Sequence, residues 1–122
     1  MDKTRVIDKI TDFENILFNP KNKGKMVCIL FWAEWCGACK NFKPLFFKII
    51  EQFDNEKYIF LMANVATAPD LFKHFEIEAF PTTYIFKTDN DLKKDNYKNK
   101  GLKLVGGGDD NKNKIIKTLG AL

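Results

Sequence analysis

The sequence predicts a layered α/β domain, and three observations carry that prediction. The run Met26–Trp32 is apolar at every position, as in a central strand covered on both faces. Residues 40–53 carry Phe42, Leu45, Phe46, Ile49, Ile50 and Phe53, a helical stripe. Along the chain, strand-type and helix-type segments read β-α-β-α-β-α-β-β-α. Alternation through the first half argues for an α/β layer arrangement, and the last two strands for a hairpin.

Each element has a local reason. Thr4–Ile7 reads as a short edge strand. Thr11-Asp12-Phe13-Glu14 has the capping-box pattern, so a short helix is expected to start near Asp12 and end at Asn19-Pro20. Residues 21–25 form a polar turn with Gly24 before the first buried strand. Pro44 sits inside the helical stripe and is expected to kink it. Residues 57–65 read as a second buried strand. Pro69 suits the first turn of a short helix through Leu71, Phe72 and Phe75. Phe80-Pro81 breaks the chain before the β-rich Thr82–Phe86. Residues 87–100, rich in Lys, Asp and Asn, read as a long mobile hairpin loop, a solvated connector. Gly101–Val105 is the last strand, and Ile115, Ile116 and Leu119 mark a terminal amphipathic helix.

The length of 122 residues suits a single domain spanning 1–122. The longest apolar run, Met26–Ala33, is far too short to cross a bilayer, so no membrane partner is expected. The first ten residues lack the apolar stretch of a signal peptide, which makes a cytoplasmic, reducing location the expectation. The net charge of +4 comes without an arginine cluster or an aromatic RNA-binding signature, which argues against nucleic acid. The high count of 12 Phe is given no functional weight.

Three cysteines, at 28, 36 and 39, cannot build a disulfide framework. Cys28 is mid-strand and reads as an inert core thiol. Cys36 and Cys39 form a C-x-x-C between a buried strand and a helix. At that spacing both face the same way in a first helical turn, where unpaired N–H groups and the helix dipole favour a thiolate. Cys36 is then the reactive thiol at the exposed end. Cys39, a turn deeper, is placed to attack a mixed disulfide formed on Cys36. Two other readings stay open: a pair of small core residues, and a metal or cluster held between two subunits. Structural zinc wants four ligands, and one chain offers beyond the pair only Cys28 and His74. His74 reads as a helix-surface histidine, and Glu34 as a solvated surface acid.

The motif Phe31–Lys40 (FWAEWCGACK), with Pro44 five residues after Cys39, resembles thioredoxin. So do Ala66-Thr67-Ala68-Pro69, Phe80-Pro81-Thr82, Ile85-Phe86-Lys87 and Val105-Gly106, all in the family's order. The resemblance implies the thioredoxin fold, a central mixed sheet flanked by helices. It implies a thiol–disulfide oxidoreductase that reduces protein disulfides and is recharged by a reductase or small thiol, as a monomer without a bound cofactor. Cys36 would attack and Cys39 resolve. Pro81 would be the family's cis-proline, and Trp35, Gly37, Ala38, Phe80 and Gly106 would form the rest of a substrate groove. A disulfide-forming or isomerising activity is the alternative on the same fold. Phe80 resembles the aromatic that disulfide isomerase domains place before this proline.

Three departures from the family matter. Leu30 stands where thioredoxins carry a buried aspartate, and Met62 where its partner lysine falls. Both changes remove charge together, as expected when an unpaired buried charge is costly. Without the aspartate, resolution by Cys39 is expected to be slower. Ala38 replaces a proline between the cysteines, which restores an N–H donor. A reduction potential less negative than the thioredoxin value of roughly −270 mV is expected from that change.

Overall fold

The computed structural model describes residues 4–54 and 56–121. Five strands form one mixed sheet: β1 (Thr4–Val6), β2 (Met26–Trp32), β3 (Tyr58–Asn64), β4 (Thr82–Lys87) and β5 (Leu102–Val105). Their spatial order is β1-β3-β2-β4-β5. β3 runs parallel to β1 and β2, whereas β4 is antiparallel to β2 and β5. The helices are α1 (Ile10–Leu17), α2 (Gly37–Glu51), α3 (Pro69–His74), α4 (Tyr97–Lys100) and α5 (Asp109–Gly120), with a 3-10 turn at Pro20–Asn22.

The unbroken apolar run of β2 follows from burial on both faces. Val27, Ile29 and Phe31 pack with Phe13 and Leu17 of α1 and with Leu71 and Phe72 of α3. Cys28 and Leu30 pack on the other face with Phe42, Phe46, Ile49 and Ile50 of α2 and with Ile115 and Leu119 of α5. The period of two along a strand sorts successive side chains to these two layers. Much of the phenylalanine content fills them. Phe31–Phe72 and Phe13–Phe75 meet edge to face at 5.1 and 5.3 Å.

Three expectations change. The helix α1 begins at Ile10 with Lys9 as its N-cap and no side-chain cap, so Thr11 lies inside the first turn and there is no capping box. Glu14 accepts from the Tyr97 hydroxyl at 2.9 Å instead. The segment 87–100 is a packed insertion rather than a loose connector. Thr88, Leu92 and Tyr97 are buried, and α4 forms within it. Polar composition concealed this because two apolar anchors suffice to dock a short segment. His74 is half-buried, not a free surface histidine, and its Nε2 lies 2.6 Å from the Tyr97 hydroxyl. With the phenol proton given to Glu14, His74 Nε2–H is the donor in that second bond. Burial, then nearby Lys98, lowers the His74 pKa against the opposing pull of Glu14. The helix α2 runs from Gly37 to Glu51 with Pro44 inside it, as the stripe and the motif spacing predict.

Candidate active site

The site lies where β2 ends and α2 begins. Cys36 is the N-cap of α2, with extended backbone, and its Sγ accepts the Cys39 N–H at 3.1 Å. An N-cap side chain takes an otherwise unpaired amide of the first turn. Here the cap is a thiol, so the same N–H is available to a thiolate. Among the described residues this is the backbone donor to Cys36 Sγ, and the Ala38 N–H expected to serve does not reach it. The Cys36 thiol also points at the Phe80 carbonyl, 3.6 Å away.

Both motif cysteines are free, and they pack with Ala33. Cys36 retains 7% exposure and Cys39 none. The depth order is as the spacing predicts, but Cys36 is nearly buried rather than at an open end, because Phe80 and Val65 crowd the pair. Burial and the hydrogen bond with Cys36 push the Cys39 thiol up to about 11, against the opposing effects of the Ala33 backbone and Lys43. Cys39 therefore holds its proton near neutral pH, and removing it is part of any resolution step. Cys28 is fully buried in the sheet, and burial pushes its pKa up as well. That fits an inert core thiol.

Three chain segments lie around the cysteine pair. Trp35 is 71% exposed and meets Phe80 edge to face at 5.1 Å. The Phe80–Pro81 peptide bond is cis, and the Phe80 N–H has no partner among the described residues. The Thr82 hydroxyl donates to Ala79 O at 2.7 Å and closes the turn in front of β4. Gly106 sits beyond β5 with φ +94°, a conformation that favours glycine, and donates its N–H to Pro81 O at 2.7 Å. Gly37 and Ala38 are exposed at the top of α2. Ring and hydrogen-bond contacts thus bring Cys36, Trp35, Phe80, Pro81 and Gly106 together, and Gly37 and Ala38 follow Cys36 in the chain.

Three features escaped the sequence reading. Lys43 is half-buried one turn beyond Cys39, and its ammonium lies 3.7 Å from the centre of the Trp32 ring. Thr83 pairs in register with Leu30, and its Oγ1 is buried without a hydrogen-bond partner among the described residues. Asn111 holds the Gly106 turn through its side chain. Spacing alone signals only the first, since i and i+4 share a helix face. The other two depend on residues distant in sequence. Among the described residues, no group of three or more His, Cys, Asp or Glu could hold a metal ion.

Comparison with known proteins agrees with this geometry. The chain is 34% identical over 83 residues to thioredoxin from Coprinus comatus, covering 68% of this chain and 74% of that protein. It is 35% identical over 83 residues to protein disulfide-isomerase A4 from Bos taurus, covering 67% of this chain and 12% of that longer protein. Among solved structures, Schistosoma mansoni thioredoxin superposes with a TM-score of 0.73 at 26% identity, covering 95% of this chain and 94% of that one. The family model Thioredoxin matches residues 5–106, and the chain accordingly belongs to the thioredoxin family of thiol–disulfide oxidoreductases.

Proposed function

We propose that this chain, as a single monomeric domain over 1–122, reduces protein disulfides through a Cys36/Cys39 cycle. The Cys36 thiolate attacks one sulfur of a substrate disulfide. A Cys36–substrate bond forms and the first substrate thiolate leaves, taking up a proton. Cys39 then loses its proton and attacks Cys36 Sγ. The Cys36–Cys39 disulfide forms, and the second substrate thiolate departs. A reductase or small thiol supplies two electrons to restore the dithiol, and no bound cofactor takes part.

The observation that carries this assignment is the placement of Cys36. It is the more exposed of the two motif cysteines, and it sits on a helix N-cap with an amide N–H aimed at its sulfur. The substrate is an extended polypeptide segment lying between Trp35, Gly37, Ala38, Phe80, Pro81 and Gly106. It pairs with the open Phe80 N–H, as in other strand-addition contacts. A reducing, cytoplasmic setting fits the direction of this cycle.

Insulin reduction with dithiothreitol as electron donor tests the reading. Cys36→Ser should abolish activity, and Cys39→Ser should trap a mixed disulfide with substrate. Activity that survives Cys36→Ser refutes the assignment. A second reading, disulfide formation or isomerisation, is favoured by the similarity to protein disulfide-isomerase A4 and by Ala38 between the cysteines. Equilibration with glutathione separates the two, because an oxidant requires a potential well above roughly −270 mV.

A further inference from the structure

The turn that carries Gly106 consists of three consecutive glycines, 106–108, between β5 and α5. Such a turn has no side chains of its own to fix it, and glycine is the residue with most backbone freedom to lose. Yet its backbone is tied down on both sides of Gly106. The Gly106 N–H donates to Pro81 O at 2.7 Å. The Asn111 side-chain amide donates to Val105 O and to Gly106 O, both at 2.8 Å. Both partners are carbonyls, so the amide nitrogen must be the atom facing them. Asn111 sits in the early part of α5, a helix of 12 residues packed on the sheet through Ile115 and Leu119. Its position is therefore set by a rigid element. Gly107 lies close enough to α2 that a Cβ there would stand 3.3 Å from the Phe42 side chain.

We propose that Asn111 is a positioning residue for polypeptide substrates. It fixes the Gly106 rim against Pro81, so that an extended segment meets a preformed edge beside Cys36. The inference rests on the groove assignment above. Two exposed apolar side chains, Val105 at 53% and Trp35 at 71%, stand at this rim and at the motif, ready to receive substrate side chains. A small aromatic disulfide needs access to Cys36 but not to the rim. Asn111 thus governs the apparent affinity for polypeptide disulfides and leaves the sulfur chemistry alone.

The test compares insulin with 5,5′-dithiobis(2-nitrobenzoate) in Asn111→Asp, Asn111→Ala and Asn111→Gln. The aspartate variant keeps the shape and removes both donors, the alanine variant removes them without adding charge, and the glutamine variant retains the amide. KM for insulin should rise about five- to tenfold in the Asp and Ala variants, as expected for loss of two neutral hydrogen bonds at a rim. It should recover in part with Gln. The rate with the small disulfide should stay within about twofold, since Cys36 itself is untouched. An unchanged KM for insulin in both donor-less variants overturns the proposal. So does an equal loss on both substrates, which would make Asn111 a purely structural residue. Failure of the underlying Cys36 assignment shows separately, as insulin reduction that survives Cys36→Ser.

Discussion

Leu30→Asp restores the acid that thioredoxins carry at this position, and its consequences can be worked from the sheet. Leu30 is fully buried between Met62 and Thr83 in register. Removing the leucine forfeits about 1.5–3 kcal/mol of apolar burial. Burying an incompletely bonded carboxyl costs about 1–3 kcal/mol more. Thr83 Oγ1, which lacks a partner among the described residues, can donate to the new group and return about 1 kcal/mol. The net loss is about 1.5–5 kcal/mol against a typical stability of about 5–15 kcal/mol, so the variant should fold with a reduced margin. Met62 supplies no cation, and burial therefore raises the introduced carboxyl above its unfolded value of about 3.9. Above that pH the unfolded chain releases its proton while the folded chain keeps it, so the deficit relative to wild type grows as pH rises towards the folded value. Once ionised, the carboxylate can take the proton that burial holds on Cys39, and resolution should accelerate at least about tenfold. Stopped-flow release of the second substrate thiol measures that step, and urea titration from about pH 4 to about pH 8 measures stability. Leu30→Asn imposes a similar polar burden without a base. A folded Leu30→Asp protein that resolves no faster than wild type, or no faster than Leu30→Asn, refutes the reasoning.

Other predictions concern pH and the insertion. Cys39 is raised from 9.0 to about 11, chiefly by burial. Reduced protein should therefore hold this contribution below about pH 9 and lose it progressively towards about pH 11, where the unfolded thiol ionises and the folded one does not. Oxidised protein has no Cys39 thiol to titrate, so thermal unfolding of the two forms between those limits should show a steeper fall for the reduced form. Parallel curves would mean that Cys39 is not held protonated. Tyr97→Phe removes the hydroxyl that joins Glu14 and His74, and should cost about 1–3 kcal/mol in chemical denaturation. Its turnover of insulin should match wild type. A neutral Tyr97→Phe would show that Leu92 and ring packing alone dock the segment. Ala38→Pro should lower the reduction potential, as measured against glutathione, because proline fixes φ in the turn between the cysteines and leaves less backbone freedom to lose when the disulfide closes. A rise would show that stiffening this turn does not favour the disulfide.

Much of this protein was legible locally. The apolar run of β2, the stripe of α2 and the proline breaks are periodic or punctuating signals, and each falls within a residue or a few of its predicted place. Cys36, Cys39 and their depth order follow from helical spacing. The misreadings share one cause. Thr11 has the right neighbours for a cap, but the chain already enters the helix at Ile10. His74 looks like a surface residue until Tyr97, 23 positions away, covers it. Composition makes 87–100 a loose loop, yet Leu92 and Tyr97 are buried.

By itself, then, the sequence determined the α/β layering, the redox pair and the family. These rest on periodicity and on residues adjacent in the chain. Only the tertiary structure decided how far Cys36 is covered by Phe80, that the Thr83 hydroxyl faces an apolar Leu30, and that Asn111 grips the glycine turn beside Pro81. Those contacts join segments far apart in the chain, and burial and hydrogen bonding between such segments exist only once the sheet has assembled.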